Sequence, residues 1–159
     1  MAAQLGPDRS MELFKFYEAA ADKAKERSWS LTTWVLALNA AILAFSFDFF
    51  ADHADSPAFV VIEAACAVVG MALCGFIIYM LRETGRHISH YWTSSNKIAA
   101  AEDSLEPFIG AAEAEKARTQ REYKAPFPSF CLRLQFLAAG FAIVHLAAGV
   151  LLIHQAAAS

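Results

Sequence analysis

Apolar positions along this chain form one helical stripe followed by three long runs. Met11, Phe14, Tyr17, Ala21, Ala24, Ser28 and Leu31 recur at three- and four-residue steps, the spacing of one face of an amphipathic helix. Lys15, Glu18, Asp22, Lys23, Lys25 and Glu26 fill its other faces. No Gly or Pro interrupts residues 9–50, so a polar helix over 1–28 is expected to run unbroken into an apolar one over 29–50. Trp29 and Trp34 stand near the start of that run, where indole rings favour the headgroup level of a membrane. A second apolar run covers 58–81, uncharged after Glu63. The third covers 129–154, where Arg133 is the single Lys, Arg, Asp or Glu. About 20 apolar residues at ~1.5 Å rise cross a ~30 Å hydrocarbon layer, so each run is long enough to span one.

The connections are read from their turn chemistry. Residues 51–57 are expected to form a tight outer hairpin, with Ser56 capping the second helix and Pro57 opening it. Beyond 81 the pattern stays helical, with Ile88, Tyr91, Trp92, Ile98 and Leu105 on one face, and a continuous helix would extend about 35 Å past the apolar run. Pro107 is expected to open a further, mostly solvated helix reaching Tyr123. Ala125-Pro126-Phe127-Pro128-Ser129 then breaks the chain before the third run, and residues 155–159 form an outer tail.

Composition agrees with lipid as the solvent. Charged residues make up 18% and the mean hydropathy is +0.37, against roughly 25% charged residues in ordinary soluble domains. A net charge of −3 gives no reason to expect nucleic acid as a partner. The placement of charge is more telling. Arg9, Lys15, Lys23, Lys25 and Arg27 precede the first run, and Arg82, Arg86, Lys97, Lys116, Arg118, Arg121 and Lys124 lie between the second and third. The 51–57 connection and the tail carry no Lys or Arg. Positive charge stays on the cytoplasmic side, so the amino terminus and residues 82–128 are expected there, with the hairpin and carboxyl terminus outside. The polar first 28 residues do not read as a cleavable signal, and the first span is expected to remain as an anchor.

Candidate chemistry is sparse. Asn39, Glu63 and His145 fall at membrane depth, where an ionisable or amide group is costly and reads as functional by default. They are candidates for lining a pore or an ion path, or for polar contacts between helices, including one between Glu63 and His145. Cys66, Gly70 and Cys74 recur every four residues, as do Gly140, Val144 and Ala148, and such small-residue spacing suits close helix packing and self-association. The three cysteines, with Cys131, show no spacing for a disulfide framework or structural zinc site. Glu83, His87 and His90 share one helical face and are weak candidates for metal ligation. Arg82 and His87 have the Arg-x4-His spacing of HEPN-type nucleases, a weak catalytic candidate. No phosphate loop or nucleophile elbow is present, and no cofactor is expected.

Residues 25–43 run Lys-Glu-Arg-Ser-Trp-Ser-Leu-Thr-Thr-Trp-Val-Leu-Ala-Leu-Asn-Ala-Ala-Ile-Leu. The Leu38-Asn39-Ala40-Ala41 kernel, with the Tyr91-Trp92 to Glu102 segment, resembles RipA-family and SLATT-type bacterial membrane proteins over about the first two thirds of the chain. The resemblance implies a homo-oligomer in the cytoplasmic membrane, an octamer being one candidate, and a role as a pore-forming effector in bacterial conflict. The expected architecture is all-α, with three membrane-spanning helices and a cytosolic helical extension. Its expected partners are lipid, further copies of itself and a cytosolic protein docked on 82–128. The leading function is a non-enzymatic oligomeric assembly, as a gated pore or effector; the alternatives are a membrane scaffold or regulatory subunit and a membrane-tethered nuclease.

Overall fold

The computed structural model describes residues 7–53 and 56–158. Among them there is no strand, and the helices are α1 (Pro7–His53), α2 (Pro57–Ala101), α3 (Glu106–Ile109), α4 (Ala111–Thr119) and α5 (Ser129–Ala158). The protein is all-α, and α1, α2 and α5 are long and apolar enough to cross a membrane. The chain divides into two compact units. A membrane unit comprises Ser28–Arg82 and Phe130–Ser159, and a polar unit comprises Met1–Arg27 and Glu83–Ser129.

In the membrane unit the inward positions repeat every seven residues. Cys131, Ala138, His145 and Leu152 are buried along α5, with Leu134 and Ala148 between them. Thr32, Asn39 and Ser46 mark the same interval on α1, beside Ser28 and Val35. On α2 the buried set is Phe59, Glu63, Gly70, Cys74, Ile77 and Leu81. A seven-residue repeat averages 3.5 residues per turn, slightly under the helix's own 3.6, which favours a left-handed supercoil. Only 22% of each span's most apolar window is buried, so most of its surface faces outward toward lipid or another copy.

The first connection differs from the sequence expectation. Residues 51–53 belong to α1 rather than to a hairpin, and residues 54–55 lie outside the described part. Nothing in Asp48-Phe49-Phe50-Ala51-Asp52-His53 breaks a helix, and Phe49 stacks on Phe45 at 5.6 Å between ring centroids and on Phe59 of α2 at 6.2 Å. Ser56 caps α2: its Oγ accepts the Ala58 N–H at 3.3 Å, and Pro57 takes the first helical position, where a missing N–H costs nothing.

In the polar unit the first turns of α1 pack on the end of α2 and the segment after it through Phe14, Ala99 and Leu105, with Met11, Ile98 and Ile109 around them. Two hydroxyls bridge the pair: Ser10 Oγ donates to Glu102 at 3.2 Å and Ser95 Oγ to Glu18 at 2.6 Å. The expected single helix from Pro107 to Tyr123 is split instead. Gly110 sits at φ +81°, a conformation that side chains with a Cβ rarely adopt, so α3 stops there and α4 starts in a new direction. α4 ends at Thr119 rather than Tyr123. Arg118 ties it back, donating to the Ala100 carbonyl at 2.6 Å and to Glu106 at 2.6 Å.

Residues 120–128 are not solvated filler. Tyr123 and Ala125 are buried, and the backbone of Ala125 is strapped to α2 from both sides. Its carbonyl accepts from Ser89 Oγ at 2.5 Å and its N–H donates to Thr93 Oγ1 at 2.9 Å. The far end of the Phe127 ring then packs against Gly85, where a Cβ would collide with it. Gly85→Ala is therefore expected to lower the melting temperature of the purified protein, with a cost of about 1–3 kcal/mol typical of overpacking. Phe127→Ala in the same chain should recover part of the loss; an unchanged melting temperature for the single variant would show that the ring does not sit there.

Candidate functional site

The polar residues of the spans meet inside the membrane unit. Asn39 is fully buried on α1, and Glu63 and His145 are each only 2% exposed. The Asn39 amide is oriented by its own helix, because Nδ2 donates to the Val35 carbonyl at 2.8 Å. That leaves Oδ1 as an acceptor. His145 Nε2 from α5 lies 2.8 Å from it and Cys74 Sγ from α2 lies 3.4 Å away. An amide oxygen can only accept, so His145 must carry its proton on Nε2 and Cys74 must donate its S–H. One oxygen atom thus joins all three spans.

Gly70 makes this meeting possible. The His145 ring occupies the space a Cβ on residue 70 would need. Gly149 serves a similar purpose one turn along α5, where a Cβ would stand 2.9 Å from the Ala67 methyl. Sequence reasoning singled out Gly70 but not Gly149, whose signal was the small run Ala147-Ala148-Gly149. Cys74 and Ala148 are buried and Cys66 is half-buried, whereas Gly140 is exposed with nothing near the position of its missing Cβ.

Glu63 stands apart from the Asn39 cluster, so the expected contact with His145 is replaced by a different pairing. Glu63 and Gly70 are seven residues apart on α2, about 10 Å along the axis, and it is Gly70 that faces the imidazole. The polar side chain set against the Glu63 carboxyl group is Ser46 of α1. Its Oε1 is buried without a hydrogen-bond partner, as is Gln135 Nε2 on α5. An unsatisfied polar atom in a dry interior costs roughly 1–3 kcal/mol, so Glu63 is the least settled group of the seam. Ser46 was not among the residues expected from sequence. Serine is common in helices, and only its place seven residues after Asn39 marks it.

The remaining candidates do not converge. Among the described residues no group of three His, Cys, Asp or Glu side chains is placed to hold a metal ion. Glu83 ion-pairs with Arg86, and His87 and His90 are exposed. Arg82 and His87 are five residues apart on one helix, which turns them about 140° from each other around its axis. In the polar unit the sequence reading missed Tyr123. Its hydroxyl donates to Glu113 at 2.5 Å and accepts from Asn96 at 2.7 Å. That bond, with smaller help from Lys116, holds the Glu113 carboxyl below its ordinary range, while burial and the neighbouring carboxylate push the Tyr123 phenol up.

Residues 11–154 match the model of the octameric membrane protein family (8xMP). No curated protein and no solved structure matches the chain. The family match supports a small membrane protein that assembles with copies of itself, and within each copy the seam turns Asn39, Glu63 and His145 inward.

The packing of His145 gives a direct check, because α2 carries a second glycine in the open. Gly70→Ala is expected to destabilise the detergent-solubilised protein by about 1–3 kcal/mol, as overpacking of a filled site does. Gly75→Ala, where a Cβ meets nothing within 4 Å, should leave it unchanged. Equal behaviour of the two variants in thermal melts would contradict the arrangement.

Proposed function

Since the chain belongs to the octameric membrane protein family, we propose that it builds a homo-oligomeric membrane scaffold whose polar unit serves as a docking platform. The observation that carries this reading is the burial of Asn39, Glu63 and His145 within one protomer. A polar conduit between copies would need polar side chains on the outward faces. Those faces instead carry Trp34, Phe45, Val61, Val68, Phe136, Ile143 and Val150. Apolar surface of this kind packs against lipid or another copy, and small residues and shape rather than charge then set the association.

A gated pore is the second reading. The likeness to RipA-family and SLATT-type proteins favours it, and so does the unpartnered buried oxygen of Glu63. Such a pore would be walled by apolar side chains and gated by their dewetting. The oligomer reconstituted into dye-loaded liposomes separates the two. The scaffold predicts retention of dye and no ion flux over hours, with the protein still oligomeric after re-extraction. Rapid leakage of dye would establish the pore instead.

The same reading places the protein in the cytoplasmic membrane with its amino terminus and residues 82–128 in the cytosol, on the strength of the Lys and Arg distribution. A reporter enzyme that works only in the cytoplasm, fused after Ser159, is expected to be silent, and one fused before Met1 to be active. The reverse pattern would overturn the orientation.

A further inference from the structure

A cleft of about 430 Å³ opens in the polar unit between α1, α2, α3 and the chain that follows α4. Its lining combines two chemistries. Phe14, Trp92, Phe108 and Ile109 give it apolar and aromatic walls, and Glu18 and Glu113 bring carboxylates from two different helices. Neither carboxylate is left to find its own rotamer. Ser95, fully buried, donates to Glu18 at 2.6 Å, and Tyr123, 3% exposed, donates to Glu113 at 2.5 Å. Phe108 is 67% exposed on α3, although its ring centroid lies only 5.8 Å from that of buried Phe14. Trp92 already attracts one cation of the chain itself: Lys25 Nζ sits 5.0 Å from its ring centroid.

Carboxylates fixed beside aromatic faces suit a flat organic cation. The faces attract positive charge, and a guanidinium, unlike an ammonium, can stack on a ring while giving two parallel hydrogen bonds to a carboxylate. The exposed Phe108 ring supplies a shelf for an apolar neighbour of that cation. We propose that this cleft binds an arginine side chain, flanked by an apolar residue, presented by a protein partner. The choice of a protein occupant rests on the scaffold reading; the cation site itself does not.

The test uses the detergent-purified oligomer of the full chain carrying Trp29→Phe and Trp34→Phe, so that Trp92 is the remaining indole. The probes are acetyl-Arg-Leu-amide and its neutral isostere acetyl-citrulline-Leu-amide. The expected result is a saturable change in Trp92 emission with the arginine peptide, at least roughly tenfold tighter than with citrulline, since charge-assisted hydrogen bonds are about twice as strong as neutral ones. Glu18→Gln and Glu113→Gln should each weaken binding several-fold. Phe108→Ala, a change at an exposed ring, should weaken it with the oligomer and its melting temperature intact. Equal binding of the two peptides, or full binding by both glutamine variants, would overturn the cation site. Binding of free arginine amide as tight as that of the peptide would overturn the protein occupant while leaving the cation site standing. A leaking liposome would count against the scaffold without touching either result.

Discussion

The Asn39 carboxamide fixes how the three spans fit together. In lipid the hydrophobic effect does little to hold one apolar helix against another, so register has to come from packing shape and from polar contacts. Here Oδ1 accepts from His145 on α5 and from Cys74 on α2, while Nδ2 is returned to the Val35 carbonyl of its own helix. Sliding any helix by one residue would turn a polar group toward hydrocarbon. A buried asparagine at a seam position sets register in coiled coils for the same reason: the misaligned alternatives leave its amide unpaired. The space for that contact is provided by Gly70, so the amide and the glycine work as one device.

With the polar groups turned inward, each protomer offers its neighbours an almost wholly apolar exterior across the spans. Three helices cannot bury that much surface by themselves, and membership of an octameric family gives it somewhere to go. Lipid and protein are near-equivalent surroundings for Val, Leu and Phe, so the balance between them is decided by close fit. Glu63 remains the exception within the seam. It is buried with one oxygen unsatisfied, a feature that a purely structural role does not require.

The polar unit obeys different physics, because water is its solvent. There, side-chain hydroxyls do the joining: Ser10, Ser95, Ser89 and Thr93 attach chain segments that are far apart in sequence. The strapping of Ala125 to α2 holds Tyr123 beneath Glu113, and that in turn fixes one wall of the aromatic cleft. Gly110 redirects the chain so that Phe108 and Ile109 line the cleft on one side of the kink and Glu113 on the other.

Helical class, three spans and unbroken helices before and after the first connection were legible in the chain alone, because apolar run length and the absence of Gly and Pro act locally. Asn39, Glu63 and His145 could be picked out as well, since a polar group at membrane depth stands out against its background, and all three are buried. Which of them would touch was not. Asn39 and His145 are 106 residues apart, and nothing local distinguishes that pairing from one between His145 and Glu63. The split at Gly110 and the burial of Tyr123 were missed for a related reason: a glycine's φ and a loop's strapping depend on what lies across from them. Sequence determined the solvent of each segment through its composition. Only the tertiary structure decided the partners, because a hydrogen bond needs two groups brought into contact, and that distance belongs to the packed helices rather than to either residue.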